Sequence, residues 1–326
     1  MKISRIGIFA FILLSISIGG SCSIYNRVMA RKNLVDGARA YNERQFPHAE
    51  ELFRQAVEYD PEGETFEGRT SRLFLARTLH SGYVGNRGQT NKAEEAIAEY
   101  KKALTGFVKE YKEKREAVAA NPQDEALRKE LEAAGNNVGS IVRSVASLYQ
   151  NLGQEDKWKE WSLQQGNSAD LPGDVRANAL VGLAAKEYTC ANEVTDSKDV
   201  KKSVQQDGES AFEFSKPEGN EEFEKNFAKA KQCVETGMGY VDKAIELDPE
   251  SDSAWSYKTS LLVQKSRIAE MDGDTAKKEE FKKASDEAKK KFEELAEKRR
   301  KEEEAEEARK QAEAAAAAEG KKTDQE

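Results

Sequence analysis

Residues 37–61 set small side chains against aromatic ones at the spacing of two packed antiparallel helices. Gly37-Ala38-Arg39-Ala40-Tyr41 is followed by Phe46, Ala49, Phe53, Ala56 and Asp60-Pro61. Small residues let helix backbones approach, aromatic rings fill the space beside them, and proline closes the second helix. The pattern returns along the chain. Leu75-Ala76 and Leu79 precede Ala96, Tyr100 and Ala103, and Val145 to Tyr149 with Leu152-Gly153 precede Trp158 and Trp161. Ala179 to Ala184 is answered only by Tyr240 to Pro249, after which Trp255, Leu261, Leu262 and Ile268 face Phe281, Ala284, Ala288 and Phe292. A hairpin of this kind leaves an apolar stripe that it cannot bury alone, so neighbouring hairpins must stack.

These residues resemble the tetratricopeptide repeat (TPR). The resemblance implies an all-α fold, a TPR-type right-handed solenoid of helical hairpins, with about five repeats forming one cooperative body over residues 31–295. Composition agrees, since 34% charged residues, six prolines and a mean hydropathy of −0.81 suit exposed amphipathic helices better than an α/β enzyme core. Three insertions are expected, near 81–91, 120–136 and 195–221. The first holds the glycine-bearing run Ser81 to Gly88. The second reads as an extra outer hairpin, with Val108 to Ala120 extending a charged helix and Asn121-Pro122 capping a restart to Ala134. The third, Thr195 to Glu221, is polar and reads as a mobile loop. Residues 296–326 are almost wholly Lys, Glu and Ala, giving a charged helical or disordered tail with no apolar seam. That tail is read as a solvated capping helix, or else as a spacer or docking segment.

At the other end, Met1-Lys2-Ile3-Ser4-Arg5 leads into the apolar run Ile6 to Ile18, the pattern of a signal peptide over residues 1–21. Gly19-Gly20-Ser21-Cys22 resembles a lipobox, which implies cleavage before Cys22 and lipidation of that cysteine, with 22–30 as a tether. Ordinary cleavage near Ser21, or an uncleaved anchor, are the other readings. Lipidation implies a protein of the bacterial cell envelope with its body in the periplasm, and Ser23 in place of Asp implies the outer membrane. Tether, repeats and split fourth hairpin together resemble bacterial repeat lipoproteins over about residues 24–295. Removing residues 1–21, which carry Lys2 and Arg5 and no acid, takes the net charge from −8 to −10. An acidic body argues against nucleic acid, which rewards clustered cations.

Export would place Cys190 and Cys233 where a pair can persist as a disulfide. Their expected helices are antiparallel neighbours, so a bridge is open to them, and the other reading is two buried small apolar residues. Catalytic groups are scarce. The chain has two histidines, His48 and His80. It carries no HExxH, GxSxG or phosphate-loop pattern in a strand-turn-helix context. Asp272-Gly273-Asp274 lacks the other ligands of a calcium loop. The expectation is no enzyme, no cofactor and no metal.

What remains is recognition by the first helices of the hairpins. Taking Ala76 and Ala146 as core positions aims Leu73, Arg77 and His80, and Arg143, Ser147 and Gln150, at a common groove. Two arginines there would suit a carboxylate or an acidic peptide, while the other reading is ordinary solvated surface. The expected role is a membrane-anchored scaffold or adaptor that holds envelope proteins or peptides. The alternative is a periplasmic receptor for a peptide or glycan.

Overall fold

Strong helix formers fill most of the chain, and the six prolines stand between elements or in a helix's first turn. The computed structural model describes residues 5–206 and 209–323, with side chains over 24–205 and 212–312. The fold is all-α in class, at 82% helix. The elements are α1 (Arg5–Asn42), α2 (Phe46–Tyr59), α3 (Phe66–Gly85), α4 (Thr90–Ala120), α5 (Glu125–Asn151), α6 (Glu155–Asn167), α7 (Gly173–Thr195), β1 (Lys201–Gln206), β2 (Glu209–Phe214), α8 (Glu221–Leu247), α9 (Asp252–Met271) and α10 (Thr275–Thr323). The side chain of Cys22, the expected lipidation site, and those of residues 1–21, read as a signal peptide, lie outside the described residues. Among the described residues, no helix is long and apolar enough to cross a membrane.

Where the repeats alone implied one body over 31–295, the chain divides into two compact units. The first is Met1–Trp161 with Ala169–Pro172, and the second is Ser162–Ser168 with Gly173–Glu326.

In the first unit, successive helices from α1 to α5 pack on one another, and α1 also touches α3. Ala30, Leu34, Ala49, Phe53, Ala56, Ala76, Leu79, Ala96, Tyr100 and Val145 are among its buried side chains. Gly37 is required by close packing. A Cβ there would lie 2.7 Å from Cε1 of Phe53, too near for any side chain.

Two expected insertions are helix instead. Ser81 to Gly85 form the last turn of α3, joined to α4 by a turn of four residues. Val108 to Ala120 continue α4, and α5 runs unbroken from Glu125 to Asn151, so no extra hairpin separates them. Asn121 is the C-cap of α4, and Asp124 caps α5, accepting from the amides of Ala126 and Leu127. His48 lies in the first turn of α2.

Asp60 does more than end α2. It accepts hydrogen bonds from the Glu64 amide at 3.1 Å, the Thr65 amide at 2.8 Å and the Thr65 hydroxyl at 2.6 Å. The Thr65 oxygen in turn caps α3 by accepting from the Gly68 amide. Burial alone would raise the Asp60 carboxyl, but these donors outweigh it and hold the group below the usual aspartate range. A carboxyl depressed in the folded state adds stability above its unfolded pKa, and that stability is lost as pH falls through the folded value. Asp60→Asn should therefore cost about 1–2 kcal/mol near neutral pH. The gap from the parent should close below about pH 4, as urea unfolding at both pH values will read.

Arg72 ties three segments together. Its guanidinium meets Glu99 of α4 at 2.6 Å and donates to the Pro61 carbonyl, while Glu99 also receives Lys102 at 2.9 Å. Arg72 is 6% exposed and Glu99 9%.

In the second unit, α7, α8 and α9 pack pairwise and α10 lies along α9. Ala184, Val241 and Leu261 form one buried cluster, and Val200, Phe223, Phe227 and Met271 another. Within the segment read as a mobile loop, the described residues include two strands. β1 and β2 pair antiparallel with Lys201 opposite Phe214 and Gln206 opposite Glu209. Fully buried Val200 pins the hairpin, its carbonyl accepting from the Ser215 amide at 3.0 Å. Arg267 of α9 stacks over the Phe214 ring at 4.7 Å, and Lys216 meets Asp272 at 2.9 Å.

Candidate functional site

The helices of the first unit leave a groove of about 720 Å³, lined by residues of α1 to α5. Its floor is aromatic. Tyr41 meets Phe46 and Phe74 edge-on, with ring centres 5.4 and 6.0 Å apart, and Phe74 stacks on buried Phe53 at 5.4 Å. Edge-to-face and offset contacts of this kind hold rings rigidly. Farther along, His80 stands edge-on to Tyr100 at 6.1 Å, and their Nδ1 and phenol oxygen lie 3.4 Å apart.

Polar groups are placed around those rings. Ser81 shares a hydrogen bond of 3.2 Å with the Tyr41 hydroxyl, and Ser144 bonds the Tyr100 phenol. Burial pushes the Tyr100 phenol up, so it stays protonated. Burial, helped by the Arg87 guanidinium, pushes His80 below the usual histidine range, so its ring is neutral near pH 7.

The charged member of the lining is Arg77. Its guanidinium sits 5.4 Å from the centre of the Phe74 ring, and it makes no ion pair with any carboxylate among the described residues. No acidic side chain lines the groove. The second unit differs. A cavity of about 540 Å³ there is lined by Lys231, Lys265 and Lys277, but Asp272, Glu235 and Asp274 meet these at 2.6, 2.8 and 3.1 Å. That cavity neutralises itself.

No protein-family model matches this sequence, and no curated protein matches it.

Of the six residues aimed at a groove by the repeat register, the structure brings Arg77 and His80 into it. Leu73 is 3% exposed and belongs to the core; Phe74 takes its place in the lining. Arg143, Ser147 and Gln150 are exposed on α5 outside the lining, which takes Ser140 and Ser144 instead. The cause is the position of the core stripe on α5. Val138, Ile141, Val145 and Leu148 are fully buried while Ala146 is only partly so, and at helical spacing Arg143, Ser147 and Gln150 fall on the far side of the helix from them. Tyr41, Phe46 and Tyr100 were legible as repeat aromatics, but nothing in the repeat pattern says that their rings reach a groove.

Cys190 of α7 and Cys233 of α8 are bonded, with Cα atoms 6.2 Å apart. Glu187 lies near them, and these three form the one group among the described residues with metal-ligating spacing. Both sulfurs are consumed by the bond between them, so the trio offers an ion one carboxylate.

Proposed function

We propose that this protein is a membrane-tethered helical-repeat adaptor, without catalytic activity, whose first unit captures an anionic segment of another envelope protein. The observation that carries the reading is the uncompensated Arg77 above an aromatic floor in a groove without acids. A guanidinium so placed favours a carboxylate, and rigid rings favour the apolar side chains beside it. The likeness of residues 37–61 to a tetratricopeptide repeat supports a right-handed solenoid in which such a groove is the recognition face. The lipobox-like Gly19 to Cys22 supports a lipid tether, with the body in the periplasm.

The test is crosslinking of the tagged full chain in cells, followed by identification of the co-purified envelope proteins. Arg77→Glu should remove a stoichiometric partner. Arg143→Glu, an equal charge change outside the groove, should leave it. Loss in both variants, or in neither, would reject the groove as the docking site. Enrichment of a free peptide or glycan in place of a protein would make the chain a receptor.

A further inference from the structure

Helix α1 is apolar on two sides, and the body of the protein uses one of them. Ala30, Asn33, Leu34, Gly37 and Ala40 face inward and are buried. Ile24, Val28 and Val35 follow one another on the outward side, at spacings that keep them within one narrow stripe. They are 68%, 60% and 53% exposed. Four of the seven exposed large apolar side chains among the described residues lie on this helix, the fourth being Tyr25.

Cations flank that stripe. Arg31 lies within it, Lys32 and Arg39 border it, and all three are exposed without an ion pair among the described residues. Arg27 is engaged elsewhere, meeting Glu67 at 3.2 Å. The acid between Ile24 and Arg39 is Asp36, which is half-buried. A chain with a net charge of −8 thus concentrates unpaired positive charge around its exposed apolar stripe. Short apolar side chains between long cationic ones suit an interface whose outer layer is anionic and whose inner layer is hydrocarbon, because lysine and arginine stems lie along apolar surface while their heads reach phosphate.

We infer that the outward face of α1, from Ile24 to Arg39, docks flat on an anionic phospholipid surface and so holds the first unit against the membrane. This rests on the proposed tether at Cys22 only for which membrane lies nearby; the face itself selects for lipid charge.

Lys32 reports the docking without any substitution. The full chain is mixed with vesicles containing phosphatidylglycerol, or with vesicles of phosphatidylcholine alone, and treated with a water-soluble lysine-acylating reagent. Mass spectrometry then compares Lys32 with Lys129, an exposed lysine of α5. Each basic side chain near an anionic surface is worth about a five-fold change in partitioning. Acylation of Lys32 should therefore fall at least about ten-fold on phosphatidylglycerol, little on phosphatidylcholine, and not at all for Lys129. Arg31→Glu with Arg39→Glu, and separately Val28→Asp with Val35→Asp, should each restore reactivity; these positions are exposed and their substitution leaves the core intact.

Sedimentation reports the tether independently. Protein that sediments with both vesicle types while Lys32 stays as reactive as Lys129 would leave the tether standing and overturn the docking face. Equal protection on both lipids would also overturn it, since charge would then play no part. Protection without vesicles would make the face a self-association surface instead.

Discussion

Replacing Cys190 and Cys233 by alanine is expected to destabilise the second unit by about 4 kcal/mol, the chain-entropy value for a loop closed across their separation of 43 residues. The bond joins α7 to α8, and between them lies the whole hairpin segment, so its loss frees the longest connection in that unit. Hydrogen exchange resolved by helix will locate the effect. Amides of α7 and α8 should lose protection in the variant, and in the parent on adding a thiol reductant, while α3 and α4 of the first unit are unchanged. A reductant that leaves α7 unchanged, or that acts equally on the double variant, would show that the bond is not the source of the stability.

A loss of comparable size, about 3–5 kcal/mol, is expected in the first unit for Glu99→Ala, because it strands the buried Arg72 guanidinium without a counter-charge. The Pro61 carbonyl would still accept from Arg72, but a neutral oxygen does not offset a full charge. Arg72→Met combined with Glu99→Leu should recover most of the loss, since two apolar side chains avoid the desolvation of both ions. Urea unfolding of the two single variants and the pair gives the coupling directly. Additive losses would mean that the two residues act independently and that the pair is not the tie between α3 and α4.

Much of the first unit is legible in the sequence because its periodicity is strong. Alanine and aromatic residues at fixed intervals placed α2, α3 and α4, and Ala49, Phe53, Ala56, Ala76 and Ala96 are fully buried where that spacing puts them. Elsewhere packing outweighs the local cues. Glycines 82 and 85 read as loop residues, yet flanking Leu79 and Tyr83 are buried, and packing overrides the modest helix penalty of glycine. The hairpin had a local signal: Asp207-Gly208, whose own placement lies outside the described residues, stands between two runs that pair, and that dipeptide favours tight hairpin turns. Its polarity hid it, because β1 and β2 gain their anchor from Val200 and Phe214 at their base rather than from an alternating apolar face. The groove was half legible. In α5 the apolar stripe Val138, Ile141, Val145 and Leu148 marks Val145 rather than Ala146 as core, a cue that the small-residue repeat register overrides.

Helix α10 is held by two different forces along its length. Ala288 and Leu295 are buried, and Leu295 is the last buried apolar side chain among the described residues. Past it Lys298 with Glu250 and Arg299 with Asp252 still tie the helix to the unit, at 2.6 and 2.5 Å. Beyond them the helix depends on neighbouring charge pairs such as Arg300 with Glu297 and Glu304, at 2.7 and 2.8 Å. Each such pair contributes only about 0.3–0.5 kcal/mol and weakens in salt. Unwinding there exposes no core, and each residue that unwinds lengthens from about 1.5 Å to about 3.3 Å along the chain. The tail is therefore a compliant element on a stiff base: a gentle pull, or a rise in ionic strength, extends its reach without disturbing the unit that carries it.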